Sequence, residues 1–273
     1  MKNCYSMNNH IESRFDKLIR FDMEEIDNPD RFNTWRLYYM NRINKIISLI
    51  KILLPYSNGK VIGDLACAQC NVGLSLAEIG YKVVAMDIDS NMLDYAKLKY
   101  EKGEIEWVNS NIGESNLQKN SFDAIVLGEV VEHCAFPEKI VKKAFDYLKE
   151  GGFLIITTPN GSRIRKKIYL SSFKKTIYLD KTRGNLEKRQ FGPSGEDHLF
   201  LLRPEELKLI IPENSKIVNK GYLGGTFLIN SISIKLLKKI TPFQFVEKII
   251  DLVNKVPIIN RYTCNNLFIV IRK

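Results

Sequence analysis

The chain has 273 residues, 41 Lys/Arg against 31 Asp/Glu, and a formal charge of +10. Its 45% hydrophobic and 26% charged residues are ordinary for a folded globular protein, and no internal repeat or low-complexity tract is present. Residues 1–20 lack an apolar signal core, and the apolar stretches Ile43–Leu54 and Leu223–Val253 are broken by Lys, Pro or Gly. Neither export nor a membrane span is therefore expected, and the five cysteines (4, 67, 70, 134, 264) read as reduced thiols of a cytoplasmic protein.

Residues 1–57 read as an N-terminal helical cap. Arg31–Leu54 has helical spacing of Trp35, Leu37, Tyr38, Ile43, Ile46, Ile47 and Ile50, and Pro55 ends it. Residues 58–160 alternate strands with helices. VIGDL (61–65) is a buried strand, and ACAQCNVG (66–73) is a small-residue turn. A helix over Val72–Ile79 stops at Gly80, and YKVVAMD (81–87) is the next strand. Ser90 is a candidate N-cap for a helix over Asn91–Lys102, and Gly151-Gly152 closes one over Pro137–Lys149.

Residues 161–200 form a basic insertion. Between Gly161 and Gln190 stand ten lysines and arginines against Asp180 and Glu187, a net +8 out of the whole chain's +10. Such a patch suits an anionic acceptor, nucleic acid or an acidic membrane; a solvated insertion is the bland reading. Gly192-Pro193 and Gly195 carry turn chemistry, and Arg203–Ile211 reads as a short helix. In residues 201–273, Lys216–Val218 running into Gly221 is a sixth strand. Ile232–Val253 is amphipathic and broken by Pro242. Core packing is its ordinary reading; a substrate-pocket wall or an interfacial helix touching membrane are the others.

Strand, tight loop, helix and second strand ending in Asp87 build a nucleotide cradle, with a carboxylate placed for ribose hydroxyls. The loop lacks the G-x-G-x-x-G of a dinucleotide site, and Asp64 just before it disfavours a phosphate. A cationic nucleoside without phosphate, S-adenosylmethionine (SAM), fits better. The segment 60–89 resembles motifs I and II of class I SAM-dependent methyltransferases, of the group that includes the quinone-biosynthesis O-methyltransferases. The resemblance continues through NSNIGES (109–115), NSFDAIVLGEVVEH (120–133) and YLKEGGFLIITTPN (147–160). It covers roughly residues 58–160. Where the family usually has Gly, this chain has Ala66, Ala68 and Cys70; Ala is a mild change if φ stays negative, whereas a Cβ at positive φ would be strained.

The resemblance implies a Rossmann-like α/β fold: a seven-stranded, mostly parallel sheet with helices on both faces. Its last strand, NLFIVIR (266–272), would run antiparallel between strands 5 and 6. It implies that Ala66, Cys67, Ala68 and Asn71 bind the cofactor, with Asp64 near its methionine end and Gly128 and Glu129 beside that moiety. Asp87 would accept from the ribose hydroxyls, Ile88 would pack on adenine, and Asn111 and Ile112 would close the base pocket. His133 and His198 are candidate general bases, because an unperturbed imidazole titrates near neutral pH. No metal is expected: Cys67, Cys70, Cys134 and His133 could approach one edge, but the thiols read as small loop and core residues.

These features predict a SAM-dependent methyltransferase acting on oxygen of a small or carrier-linked acceptor, such as a saccharide, glycolipid or quinone precursor. An RNA methyltransferase using residues 161–190 is the alternative, disfavoured by the few aromatics there (Tyr169, Phe173, Tyr178). A non-catalytic module of the same fold is a third reading, and a NAD-linked reductase is the least favoured.

Overall fold

The protein was analysed as a computed structural model, which describes residues 14–31, 33–164, 171–191, 198–223 and 257–273, together with 242, 245, 248 and 252. Seven strands form one sheet in the order β3-β2-β1-β4-β5-β7-β6. They are β1 Val61–Leu65, β2 Lys82–Asp87, β3 Glu104–Asn109, β4 Phe122–Gly128, β5 Leu148–Pro159, β6 Lys216–Leu223 and β7 Asn266–Arg272. The first five are parallel, and β7 runs antiparallel to both β5 and β6, as expected from NLFIVIR. The strand order reverses between β1 and β4. In open α/β sheets ligands bind outside the carboxyl ends of the strands at such a reversal.

The central strands are apolar because both their faces are covered. On β4, Ile125 and Leu127 join one core layer with Leu65, Met86 and Phe145, while Ala124 and Val126 join the other with Ile46, Ile62 and Val83. Helices α1 (Arg14–Glu25) and α2 (Thr34–Leu53) precede the sheet. Asn33 caps α2 by accepting from the Trp35 and Arg36 amides, and Ile43, Ile46, Leu49 and Ile50 form its buried stripe. The α1 helix is pinned by buried Asp22, which accepts from Asn71 Nδ2 (3.0 Å), Tyr95 Oη (3.0 Å) and Lys99 Nζ (2.6 Å). These partners lie in α3 (Asn71–Glu78) and α4 (Ser90–Lys99).

Several expected boundaries moved for identifiable reasons. Ser90 is inside α4; the cap is Asp89, whose carboxylate accepts from the Asn91 amide. Helix α5 (Pro137–Tyr147) ends before the glycine pair, which lies within β5. There the pairing jumps from Phe122↔Leu148 to Ala124↔Phe153, a bulge, and a Cβ on Gly152 would lie 2.9 Å from the Lys149 carbonyl oxygen. The expected helix over 203–211 closes only one short turn, Leu207–Leu209. Buried Glu206 accepts instead from the Arg203 and Lys174 amides, so tertiary bonds occupy this segment.

Two helices stand in the basic segment, α6 (Phe173–Leu179) and α7 (Gly184–Gln190). Phe173 and Leu186 are buried, and Ser172 bridges to Leu201. Arg183 fixes α7: its guanidinium donates to both Glu138 oxygens (2.6 and 2.9 Å) and to the Ala135 carbonyl, and lies over the Phe136 and Phe173 rings. Helix α8 (Pro257–Thr263) leads into β7. No helix among the described residues is long and apolar enough to cross a membrane. Most of Ile232–Val253 lies outside the described residues.

Candidate active site

The carboxyl end of β1 runs into a loop of alternating backbone handedness. Ala66, Ala68 and Cys70 have φ of 58°, 47° and 56°, the left-handed region where a Cβ is strained. The Cys70 amide donates to the Cys67 carbonyl (2.7 Å), closing a tight turn, and the Cys67 amide donates to the Met86 carbonyl of β2 (2.9 Å). Asp64 is buried beneath this loop and accepts from the Gly73 amide of α3 (2.8 Å). Gly73 has no room for a Cβ, which would lie 2.5 Å from Cys70 Sγ and 3.0 Å from Asp64 Oδ2. Burial pushes the Asp64 carboxyl up to about 7; the Gly73 amide opposes this and the Asp87 charge adds to it.

Asp87 closes the cradle from β2. Its Oδ2 accepts from the Ala68 amide (2.8 Å) and its Oδ1 from the Asp89 amide (2.9 Å). Beside it opens a cavity of about 260 Å³. Ala66, Ile88, Asn111, Ile112, Glu129 and His133 line it, all expected from the sequence. Ser110, Val130, Cys134, Ile140, Gln190 and Phe191 complete the wall. The Asn111 side-chain oxygen accepts from the Gly113 amide (2.9 Å), which fixes the amide's orientation.

Two carboxylates stand in different settings near the cavity: Glu129 lines it, and Glu132 lies buried behind its wall. Glu129 stands at φ 60°, and its carboxylate accepts from Thr157 Oγ1 (2.8 Å) and Asn266 Nδ2 and pairs with Arg42 of α2 (3.5 Å). Burial still raises its pKa, with Arg42, Thr157 and Asn266 opposing. Glu132 is fully buried; its Oε2 accepts from Thr158 Oγ1 (3.0 Å), while Oε1 has no hydrogen-bond partner. That oxygen faces His133 Nε2 at 4.0 Å and His198 Nε2 at 3.9 Å. The two imidazoles meet edge to face with centroids 4.8 Å apart. Burial drives the Glu132 pKa well upward and the Glu129 charge adds to it, while its own backbone amide and Thr158 oppose.

Known proteins resemble the chain in the same region. Residues 63–156 match the family model described as a methyltransferase domain. Residues 63–156 thus carry a methyltransferase domain of the class I SAM-dependent type. A ubiquinone biosynthesis O-methyltransferase of Shewanella pealeana is 27% identical over 172 residues, 62% of this chain and 68% of that protein. The mitochondrial 2-methoxy-6-polyprenyl-1,4-benzoquinol methylase of Caenorhabditis elegans is 36% identical over 130 residues, 45% of this chain and 42% of that one. Among solved structures, a SAM-dependent methyltransferase from Mesorhizobium loti has a TM-score of 0.53 at 14% identity, covering 83% of this chain and 96% of that one. Phosphoethanolamine N-methyltransferase 2 of Haemonchus contortus, in complex with SAM, has a TM-score of 0.52 at 16% identity, covering 84% and 52%. These two likenesses establish the shared fold.

Within this methyltransferase the expected residues divide into groups. Asp64 and Asp87 brace the loop through backbone amides, and Ala66 reaches the cavity. Cys67 is half-buried in the loop, and Gly128 ends β4 beside Thr157. The Asn71 side chain is committed away from the cradle: Nδ2 donates to Asp22 and Oδ1 accepts from Lys99 (2.7 Å). His133 and His198, read separately in the sequence, converge because the Leu199 amide donates to the Glu132 carbonyl (2.9 Å). Among the described residues, the His, Cys and acidic side chains close enough to share an ion are Glu132, His133 and His198, whose ligand atoms lie within 4.8 Å. The set weighed in the sequence, Cys67, Cys70, Cys134 and His133, is not such a group. Sequence reasoning missed Glu132 as a site residue, though its place in GEVVEH beside His133 was a usable signal. It had no signal for Gln190 and Phe191, which reach the cavity only because Gln190 Oε1 accepts from the Ala135 amide (2.8 Å).

Proposed function

We propose that this methyltransferase acts on an oxygen of a small or carrier-linked acceptor carrying negative charge, such as a saccharide, glycolipid or quinone precursor. The observation that carries the reading is the pair of imidazoles over one buried carboxyl, with one of the pair, His133, lining the cavity. A hydroxyl acceptor must lose a proton as it is methylated, and this corner can receive one.

The residues present suit SAM on structural grounds. The cavity offers apolar side chains (Ile88, Ile112, Val130) and the fixed Asn111 amide for a base, and the Asp87 carboxylate for two hydroxyls. Ala66 and the backbone around Cys67 and Ala68 would hold the methionine end with Glu129 and Gly128. When bound, SAM supplies an activated methyl group on a positively charged sulfur. The protein's task is then to align the acceptor and exclude water. In our reading His133, which lines the cavity, takes the acceptor proton. His198 and Glu132 hold that imidazole in place and stabilise its charged form. The buried Glu132 oxygen without a hydrogen bond becomes a better acceptor as the ring charges.

The basic segment supports an anionic acceptor. Lys188 and Arg189 occupy the last turn of α7, immediately before Gln190 and Phe191 at the cavity wall. An RNA acceptor is less well supported, because Arg183, central to that segment, is consumed by Glu138 and two rings. The test is a panel of anionic hydroxyl acceptors, with methyl transfer followed from labelled SAM. Transfer to oxygen that falls sharply in His133→Ala, with SAM affinity retained, is expected. Transfer only to nitrogen or carbon, or full activity in the variant, would overturn the reading.

A further inference from the structure

The cofactor loop contains chemistry that methyl transfer does not use. Cys67 and Cys70 stand in a Cys-x-x-Cys within it. Cys70 occupies a left-handed position (φ 56°) directly before α3 and makes no side-chain cap bond to that helix. A Cβ in this conformation costs on the order of 1 kcal/mol, and capping does not offset it here. Strain of this kind at a ligand-binding loop points to a functional use of the side chain.

The geometry favours a cross-link. The 2.7 Å bond from the Cys70 amide to the Cys67 carbonyl makes residues 67–70 a closed turn. Such turns hold their end Cα atoms within about 7 Å. A disulfide needs about 4.4–6.8 Å. Cys67 is half-buried and reachable, whereas Cys70 is fully buried. Both thiols are free, and Cys67 Sγ lies 3.8 Å from the Ala68 carbonyl on the same turn.

We propose that Cys67 and Cys70 form a reversible disulfide, a redox modification site that sets the cofactor affinity of this methyltransferase. The co-reactant is a low-molecular-weight disulfide. The Cys67 thiolate attacks one of its sulfurs, forming a mixed disulfide and releasing one small thiolate. The Cys70 thiolate then attacks the Cys67 sulfur, forming the internal bond and releasing the second. Two electrons pass to the small disulfide, and the two cysteine protons end on two small thiols.

The surroundings set the pace of both directions. Contact with Cys70, then burial, then the Asp64 charge hold the Cys67 thiol well above the usual range, so attack is slow near neutral pH. Burial and the Asp64 charge also oppose re-formation of the thiolate, so the cross-link persists until a strong dithiol reduces it. Closure also displaces Cys70 Sγ from its seat between Asp64 (4.0 Å) and Gly73, and with it the Ala66–Ala68 backbone that forms the cradle.

This inference rests on the loop being the SAM cradle, and the test keeps the two apart. The full-length protein is titrated with SAM by calorimetry after reduction, and again after incubation with oxidised glutathione. Peptide mapping locates any bond. Reduced protein that fails to bind SAM overturns the cradle assignment itself. The redox proposal expects a 67–70 cross-link, a loss of affinity of roughly tenfold or more, and recovery with dithiothreitol. Cys67→Ser leaves only the buried thiol of the pair, so its own affinity, whatever its starting value, should not move on oxidation. No cross-link in the mapped peptides, equal affinity of the two wild-type forms, or an equal loss in Cys67→Ser would each overturn the proposal.

Discussion

The two groups of side chains that flank the cavity, each reaching it through one residue (Ala66 and His133), are built on opposite principles. The cradle from Asp64 to Asp87 is a short continuous stretch in which both carboxylates accept backbone amides. The corner of Glu132, His133 and His198 joins segments far apart in the chain and leaves one buried carboxyl oxygen without a hydrogen bond. A satisfied hydrogen-bonded group suits binding, because it presents one fixed surface. A group with a buried, incompletely paired acid beside two imidazoles suits proton movement, because its charge state is poised to change. The contrast gives each group its own signature: substitutions in one should change affinity, and in the other turnover.

The largest effect expected is on the corner. His133→Ala should lower the turnover number by roughly 10²-fold or more, the usual scale for a lost general base, with SAM affinity unchanged. Single-turnover kinetics beside calorimetry would separate the two, and a change confined to affinity would break the comparison. In the other group, Asp87→Ala should weaken SAM binding by roughly 10²-fold. It removes hydrogen bonds from a charged acceptor worth about 1.5–3 kcal/mol each.

The pH dependence sharpens the same comparison. Burial raises the folded-state pKa of Asp64 to about 7 from its ordinary value of 3.8. Between those values the unfolded chain has released a proton that the folded chain retains. Stability should therefore be highest at the acid end of this window, fall as pH rises through it, and level off above. Asp64→Asn should flatten that slope in urea unfolding series taken across the window; an unchanged slope would place the titration elsewhere.

A smaller effect is expected at the anchor of α7. Arg183→Ala removes a two-pronged bond to Glu138 and should lower stability by about 1–2 kcal/mol. It should also raise KM for the acceptor, because Gln190 and Phe191 lose their placement. The smallest is Ala68→Gly, which relieves a left-handed alanine at φ 47°. A gain of up to about 1 kcal/mol in the folded state, partly offset by the freer unfolded chain, should appear as a modest rise in Tm.

The sequence alone determined the sheet and the loop that joins its first two strands. Strands VIGDL, KVVAMD and NLFIVIR were legible because burial on both faces demands near-continuous apolar runs, and Asp87 was legible by its distance from the loop. At Ala66, Ala68 and Cys70 the sequence left the backbone open, mild at negative φ and strained at positive φ, and the structure places all three at positive φ. Tertiary structure decided the rest. It diverted the Asn71 side chain to Asp22 and Lys99, moved Gly151-Gly152 from a helix cap into a bulge, and brought His198 onto His133 and Glu132. Each of these depends on a partner distant in the chain, and local spacing carries no record of which partner burial will supply.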